Sequence, residues 1–480
     1  MPRERPMHIS NSWHRIVTVL LIVGLMAQES PGWIASAHAQ DRSETSAAPS
    51  HVPAEMPNAR GAFLGYRTAV TIAVEQHPLL KKSQETSWSA QALAEQAKAR
   101  YYPQIDAYAI QTGGTIRPLS GFNIAGAQNK PTSYVENAGL RADQLIYDFG
   151  QAGHTLLAER ANHEATEKDF LTNKALVVLR VQQAYLHCLR MMRLIQIAEA
   201  TVRERGILRD QIKILYERQL KSKLDLNFIS VELKTSEVQF IQAKNELRAA
   251  FAQLNHAMGV RGPEDYTLEE VTGVPTPAAT LESLIQHGLE DRPELMGSSN
   301  RIRAADEHYR AAKALNFPTI SASGMTGVIH FSDAPTNQYG GAHDGFTQLW
   351  WGAAAVVSVP LFTGFLTENR VADALQQKYQ EEQRKLDLAN KVALEITDSY
   401  LGLQTAQQQI KVAEKEVESA RSALTLAKER YRLALSSIVE VTTATTELLS
   451  AEVRLAEAHY AAQANSMAIA YAIGKGYRDF

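Results

Sequence analysis

Apolar side chains recur at alternating steps of three and four residues over two long parts of the chain. The members of one stripe are Val441, Ala444, Leu448, Ala451 and Leu455. A heptad stripe of this kind is typical of a helix that packs lengthwise against other helices. The residues before Tyr431 keep the same spacing, so the pattern predicts two long helices that meet near Ser436.

The same pattern occurs earlier in the chain at a constant offset of 215 residues. Landmarks of unlike residue types share this offset. They are Pro78 and Pro293, Pro103 and Pro318, Tyr216 and Tyr431, and Gly259 and Gly474. One offset that holds across such different residues predicts a tandem duplication.

Period-two alternation marks shorter segments between the helical ones. One face of the segment 138–144 presents alanine and leucine, and the other presents Gly139, Arg141 and Asp143. Because successive side chains of a strand point to opposite faces, Arg141 and Asp143 are predicted to share a polar face. Trp350 and Trp351 suit the aromatic girdle of an outer-membrane barrel, while a soluble hairpin with one buried face explains the alternation equally well.

These patterns divide the chain into six predicted parts. The parts are a signal peptide at 1–39, a flexible leader at 40–61, a first repeat at 62–259, a linker at 260–279, a second repeat at 280–474 and a C-terminal end at 475–480. The first repeat is expected to hold strands at about 104–116 and 134–147 and long helices at about 150–217 and 223–258. The second is expected to hold strands at about 319–331 and 346–361 and long helices at about 364–435 and 438–473.

The N-terminus carries an export signal. Arg3, Arg5 and Arg15 precede an apolar run at 16–27, and a small-x-small pattern at 37–39 supplies a cleavage site. The apolar run is about 12 residues long, whereas a helix needs about 20 to span a bilayer. No cysteine lies directly after the run, so a lipid anchor on an N-terminal cysteine is not expected. The mature chain is predicted to leave the cytoplasm.

Composition excludes several other classes. The 480 residues carry a formal net charge of −3 and a single cysteine, so neither nucleic-acid binding nor a cysteine metal cluster is expected. Cys188 lies on a heptad stripe and is interpreted as core packing. A set of charged residues is interpreted as a solvated helix face, with contact to an adaptor near the tip as the alternative: Arg203, Glu204, Arg205, Arg209 and Asp210. The sequence contains no known catalytic motif, so an enzyme, a cofactor and a resident metal are not predicted.

The number of strands has a physical consequence. Two strands per repeat give four per chain, and a transmembrane barrel needs at least about eight. An open sheet in lipid leaves costly unpaired edges, so several chains are expected to close one barrel. The polar faces, with Arg141 and Asp143, then line a water-filled conduit.

Taken together, these features resemble the TolC family of outer-membrane channels. The resemblance rests on the duplicated halves, the helix breaks at His77-Pro78 and Arg292-Pro293, the strand-to-helix turns at 145–150 and 360–364, and the paired turns after Tyr216 and Tyr431. It implies an α+β membrane protein that forms a homotrimer, with four transmembrane β-strands per chain, a trimeric β-barrel of twelve strands and a periplasmic α-barrel of antiparallel coiled-coil helices. It also implies a periplasmic adaptor protein and an inner-membrane transporter of the RND or ABC type as partners.

The resemblance assigns candidate residues at the periplasmic entrance. They are Asp225, Glu440, Tyr431 and Tyr216. Glu440 matches a ring-forming acid and Tyr431 a gate tyrosine, whereas Thr443 and Ser436 depart from the family by replacing a second ring acid and a gate arginine. An acidic residue in the first turn of a helix also stabilises the helix dipole by about 0.3–1 kcal/mol, so helix capping explains Asp225 and Glu440 equally well.

The function predicted from the sequence is a passive outer-membrane channel of a tripartite efflux system in a Gram-negative bacterium, in contact with outer-membrane lipid. One alternative is the outer-membrane component of type I protein secretion. An alternative of a different class is a periplasmic coiled-coil adaptor or scaffold. The residues do not specify the transported substrate or the particular pump.

Overall fold

The computed structural model describes residues 61–114, 133–262, 265–271, 279–332 and 346–476. The predicted signal peptide and its cleavage site lie outside the described residues, as do nearly all of the leader and the segments 115–132 and 333–345 between the two strands of each repeat. The described residues form two units. The sheet unit comprises Ala99–Phe149 and Asn316–Leu361, and the helical unit comprises the rest.

The elements are as follows. The helices are α1 (Tyr66–Gln76), α2 (Pro78–Lys98), α3 (Gln151–Glu217), α4 (Lys223–Met258), α5 (Leu281–Asp291), α6 (Pro293–Ala314), α7 (Leu366–Arg432) and α8 (Ile438–Ala472). The strands are β1 (Ala62–Leu64), β2 (Gln104–Gly114), β3 (Ser133–Tyr147), β4 (Tyr266–Leu268), β5 (Thr319–Ser332) and β6 (Phe346–Ser358).

Two very long helices run through the helical unit. Helices α3 and α7 each have 67 residues, which corresponds to about 100 Å at 1.5 Å per residue. Each long helix packs against the helix that follows it, α3 against α4 and α7 against α8. The two turns between them resemble each other, because Gln219 and Ala434 both have a positive φ, at 61° and 58°. This left-handed conformation ends both helices, and it ends α7 at Arg432 rather than at the expected residue 435.

Helices α4 and α8 both end against another segment of the chain. Gly259 and Gly474 follow them with φ of 72° and 73°, a region that favours glycine. A side chain at Gly259 would meet His77 Cα at 2.8 Å, and one at Gly474 would meet Arg292 Cα at 3.2 Å. Close backbone approach therefore requires glycine at both junctions. The buried Cys188 lies in the core beside the first junction, as its heptad position predicted.

A small parallel sheet was not anticipated from the sequence. Strand β1 pairs with β4, although the first strand of the first repeat was expected at 104–116 and the segment 260–279 was expected to be a linker. The buried Tyr185 holds this sheet against α3, since its hydroxyl donates to the carbonyls of Leu64 (3.0 Å) and Glu269 (2.9 Å). Strands of three residues are too short to display a period of two, and this explains the omission.

The sheet unit is an antiparallel sheet with the strand order β2-β3-β5-β6. Strands β2 and β6 are its edges within the described residues. The strand expected at 134–147 is observed at Ser133–Tyr147. The strand expected at 346–361 is observed at Phe346–Ser358 and so ends three residues earlier. The register places Leu140 opposite Thr326 and Thr326 opposite Trp351. Because directly opposed residues share a face, Leu140 and Trp351 lie on the same side of the sheet.

Candidate functional site at the helical turns

The turn between α3 and α4 uses its acidic residue as a helix cap. The backbone N–H of Asp225 donates to Ser222 Oγ at 3.1 Å, and the Ser222 N–H donates to Asp225 Oδ2 at 3.3 Å. This reciprocal pair is a capping box, which satisfies two backbone donors at the start of the helix. The Asp225 carboxylate is therefore held at its own helix terminus.

The turn between α7 and α8 holds its acid differently. Glu440 lies in the first turn of α8, where the N-cap residue Ser437 makes no side-chain hydrogen bond to the helix. Arg430 Nε lies 3.1 Å from Glu440 Oε1, and the two side chains are 48% and 44% exposed. An ion pair this exposed is weak, so the carboxylate can exchange partners at little cost.

Tyr431 is buried between the two hairpins. It is 7% exposed and belongs to an apolar cluster with Ile212 of α3 and Ile438 of α8. Lys221 Nζ lies 3.9 Å from the centre of its ring, which is cation–π geometry. Burial, with a smaller contribution from the Asp225 charge, raises the pKa of Tyr431 to about 12. The phenol stays protonated, and its hydroxyl has no hydrogen-bond partner among the described residues.

A cavity of about 480 Å³ adjoins Tyr431. Its apolar wall comes from residues of α3 that include Leu208 and Ile212, and its polar rim includes Lys221 and Lys428. Lys428 pairs with Glu204 of α3, which links the two long helices near their ends. By contrast, Tyr216 is 37% exposed, so the two predicted entrance tyrosines have different surroundings.

Arg205 is a buried polar residue that the sequence reasoning missed. It was interpreted as part of a solvated face, yet it is only 4% exposed. Its Nη1 donates to the carbonyl of Glu232 at 3.0 Å, and its Nη2 donates to Thr446 Oγ1 at 3.1 Å. Arg205 thus joins α3 to both α4 and α8. A signal was available, because Arg205 lies seven residues before the buried Ile212 on the same helical face.

In the sheet unit, Arg141 and Asp143 lie together on one face. Arg141 Nε is 2.6 Å from Asp143 Oδ2, and Ser323 Oγ of the neighbouring strand donates to Asp143 Oδ1 at 2.7 Å. Trp350 shares this polar face and donates from Nε1 to Asn137 Oδ1 at 3.2 Å. The two tryptophans that were predicted to act together in one girdle therefore lie on opposite faces.

Among the described residues, no group of three or more histidine, cysteine, aspartate or glutamate side chains is placed so that it could hold a metal ion. Among the described helices, none combines the length and the apolar character that crossing a membrane requires.

Helical hairpins of this length, joined to a four-stranded antiparallel sheet, form the architecture of TolC-like outer membrane channels. The Campylobacter jejuni CmeC outer membrane channel has this fold. It aligns with a TM-score of 0.73 at 17% identity, over 86% of this chain and 86% of that chain.

The profile of the family "Outer membrane efflux protein" matches residues 69–260 and 284–475. The chain therefore belongs to this family, and it acts in efflux at the outer membrane of a Gram-negative bacterium. The cation efflux system protein CusC of Escherichia coli K12 is 25% identical over 398 residues, which cover 80% of this chain and 82% of CusC. The outer membrane protein TolC of the same strain is 23% identical over 404 residues, with 83% and 80% covered. This family is one of channel and transport proteins and not one of enzymes.

Proposed function

We propose that three copies of this chain close one transmembrane barrel of twelve strands, and that the assembly is a passive conduit for efflux. The observation that carries this proposal is the exposed apolar face of the edge strand β6. Leu349, Trp351 and Val357 point to the same side and are 73%, 80% and 61% exposed. In lipid such a face is favourable, but an unpaired strand edge is not, so β6 needs a neighbour from another copy.

The polar side of the same sheet suits a water-filled lumen. Arg141 and Asp143 pair with each other on the face opposite to Leu140 and Trp351. In a closed barrel, one face meets lipid and the other faces the interior. We therefore assign Arg141 and Asp143 to the lumen.

We infer that the two halves arose by tandem duplication. The family profile matches twice, at 69–260 and 284–475, a shift of 215 residues. The positive φ values at Gln219 and Ala434 have the same separation, and so do the glycine junctions at Gly259 and Gly474. Two repeats in each of three copies would arrange six similar hairpins around one axis.

The helical unit is proposed to form the periplasmic α-barrel. Its partners would be a periplasmic adaptor protein and an inner-membrane transporter of the RND or ABC type, because a passive channel takes its energy from a pump. Membership of an efflux family and the similarity to CusC and TolC support this arrangement. We place the periplasmic entrance at the turns that carry Glu440 and Tyr431, together with Asp225 and Tyr216.

Fractionation and electrophoresis test the location and the assembly. The protein is expected to sediment with outer membrane and to migrate as a trimer in SDS without heating, then as a monomer after boiling. Release with soluble periplasm, combined with migration that heat does not change, would instead support the periplasmic scaffold.

A further inference from the structure

The cavity beside Tyr431 has the size and the lining of a site for a small organic molecule. Its volume of about 480 Å³ lies within the range of about 300–1,000 Å³ that is usual for ligand pockets. Ile207, Leu208 and Leu215 of α3 and the ring of Tyr431 of α7 supply its apolar wall. Ile207 is 60% exposed, so part of this wall stays open to solvent. An open apolar wall inside a concave site favours a ligand with an apolar body.

The rim of the cavity carries one more positive than negative charge. Three basic side chains and two carboxylates line it, and they are Lys221, Lys428, Arg432, Glu204 and Glu429. Lys428 pairs with Glu204, and Arg432 pairs with Glu429 at 2.8 Å. Among the described residues no carboxylate forms an ion pair with Lys221, whose ammonium group lies 3.9 Å from the centre of the Tyr431 ring. The charge of Lys221 is therefore available to an anion.

We propose that this cavity binds an amphipathic organic anion, with its apolar body against α3 and Tyr431 and its acidic group at Lys221. Lys221 is half-buried at the rim, so its ammonium group can pair with an acidic group at the wet end while the apolar body leaves water. The carboxylate of Asp225 also acts on Tyr431, but it does not line the cavity and is held in its capping box.

A ligand in this cavity would touch both hairpins of one chain. The lining comes from α3 of the first hairpin and from α7 and α8 of the second, the last through Val441. A bound molecule stabilises the arrangement in which these helices lie side by side, because it loses contacts if they separate. The regulatory part of the inference rests on the proposed function: if these turns form the periplasmic entrance, the ligand opposes movement of α7 away from α3.

A matched pair of fluorescent probes tests the charge preference of the site. The probe 8-anilinonaphthalene-1-sulfonate has an aromatic body and one sulfonate, and N-phenyl-1-naphthylamine has the same rings without the sulfonate. Both are titrated against the purified full chain in lipid nanodiscs, and the signal of empty nanodiscs is subtracted. The sulfonate probe should bind about three- to fivefold more tightly than the neutral probe, as expected for one partly exposed charged contact.

Three variants locate the binding. Lys221→Met removes the charge and keeps a long side chain, so it should weaken the sulfonate probe about three- to fivefold and leave the neutral probe unchanged. The matched control is Lys213→Met, which changes an exposed lysine of α3 outside the cavity and should affect neither probe. Gln211 is exposed and lines the cavity, so Gln211→Trp should fill the space and weaken both probes.

The outcomes separate the site from the channel. Equal affinity for the two probes, or a Lys221→Met variant that binds the sulfonate probe as tightly as the natural protein, would overturn the inference. Channels that conduct normally and bind neither probe would also overturn it and leave the proposed function standing. Binding that depends on Lys221 in a protein that passes no ions would support the site and contradict the proposed conduit.

Discussion

At the residue scale, the two hairpin turns place similar side chains in different environments. Tyr431 is buried, whereas Tyr216 is 37% exposed. Asp225 closes a capping box at its own helix, whereas Glu440 pairs with Arg430 across the second turn. The helix-capping alternative thus has a structural basis at Asp225. Glu440 is the stronger candidate for a carboxylate that acts on ions.

Replacing Glu440 with alanine should make the channel less selective for cations. The change removes one carboxylate per copy and leaves Arg430 uncompensated, and like charges brought near one axis act together on passing ions. Reversal potentials across a salt gradient in planar bilayers measure this shift. The matched control is Glu429→Ala, which removes an exposed carboxylate that pairs with Arg432 at 2.8 Å. An equal shift in both variants would contradict a specific role for Glu440.

Tyr431 should contribute to stability through its ring and not through its hydroxyl. Because the hydroxyl has no partner among the described residues, Tyr431→Phe is expected to leave the thermal midpoint nearly unchanged. Tyr431→Ala empties a buried site and should cost about 3–5 kcal/mol per copy, as for other buried aromatic residues. Thermal unfolding in detergent measures both variants. A large loss with phenylalanine would reveal a hydrogen bond absent from this structure.

Some of these side-chain contacts could be predicted from the sequence, and others could not. Ser222 precedes Asp225 by three residues, and this spacing is the signature of a capping box, so the cap was predictable. The ion pair between Arg430 and Glu440 was not, because it depends on how the turn folds back on itself. The burial of Arg205 follows from its place on the packed face, but charge alone suggested solvent exposure.

At the element scale, Arg205 connects three helices, so its loss should weaken the contact between the two hairpins. Arg205→Ala is expected to cost about 1.5–3 kcal/mol, the usual value for hydrogen bonds made by a charged group. Arg203, two residues earlier, is exposed, and Arg203→Ala should change stability by less than about 0.5 kcal/mol. Thermal unfolding of the two variants measures this difference. Equal effects would mean that Arg205 is dispensable.

The junction at His77 should be sensitive to acid. Burial lowers the pKa of His77 from its ordinary 6.5, and His256 and Arg180 lower it further. As pH falls below about 6.5, the unfolded chain takes up a proton before the folded chain does, so stability decreases until pH passes the folded pKa. The nearby charged residues on the helices that flank His77 are exposed to solvent. They are Glu75, Lys81 and Lys82.

His77→Asn tests this pH dependence. His77 Nδ1 accepts a hydrogen bond from the Leu79 N–H at 3.1 Å, and asparagine can make an equivalent cap without titrating. When the pH is lowered from about 7.5 to about 5, the variant should lose less thermal stability than the natural protein. This is the range in which a histidine side chain usually takes up its proton. Identical pH profiles would show that other groups cause any loss in acid.

The elements differed in how far the sequence could predict them. The heptad spacing of apolar residues predicts α3 and α7 well, because over a long helix a few polar residues at apolar positions do not hide the pattern. The strands β1 and β4 escaped prediction because three residues carry too little pattern. The order β2-β3-β5-β6 brings strands from the two halves together, and pairing of this kind depends on contacts between distant residues rather than on local spacing.

At the scale of the whole molecule, the chain has unpaired surfaces in both units. Edge strands β2 and β6 have no further partner among the described residues, and α4 and α7 carry exposed apolar stripes that include Val231 and Val412. If identical copies pair the strand edges and cover the apolar stripes, neither surface stays exposed, since a closed ring leaves no free edge. A homotrimeric tube is the assembly that we propose on this basis.

The most direct test of the proposed conduit is the current through single purified trimers in a planar bilayer. Stable, stepwise conductance from trimers resolved by size is the predicted result. Trimers that insert into the bilayer and pass no ions under any applied voltage would contradict a continuous water-filled passage.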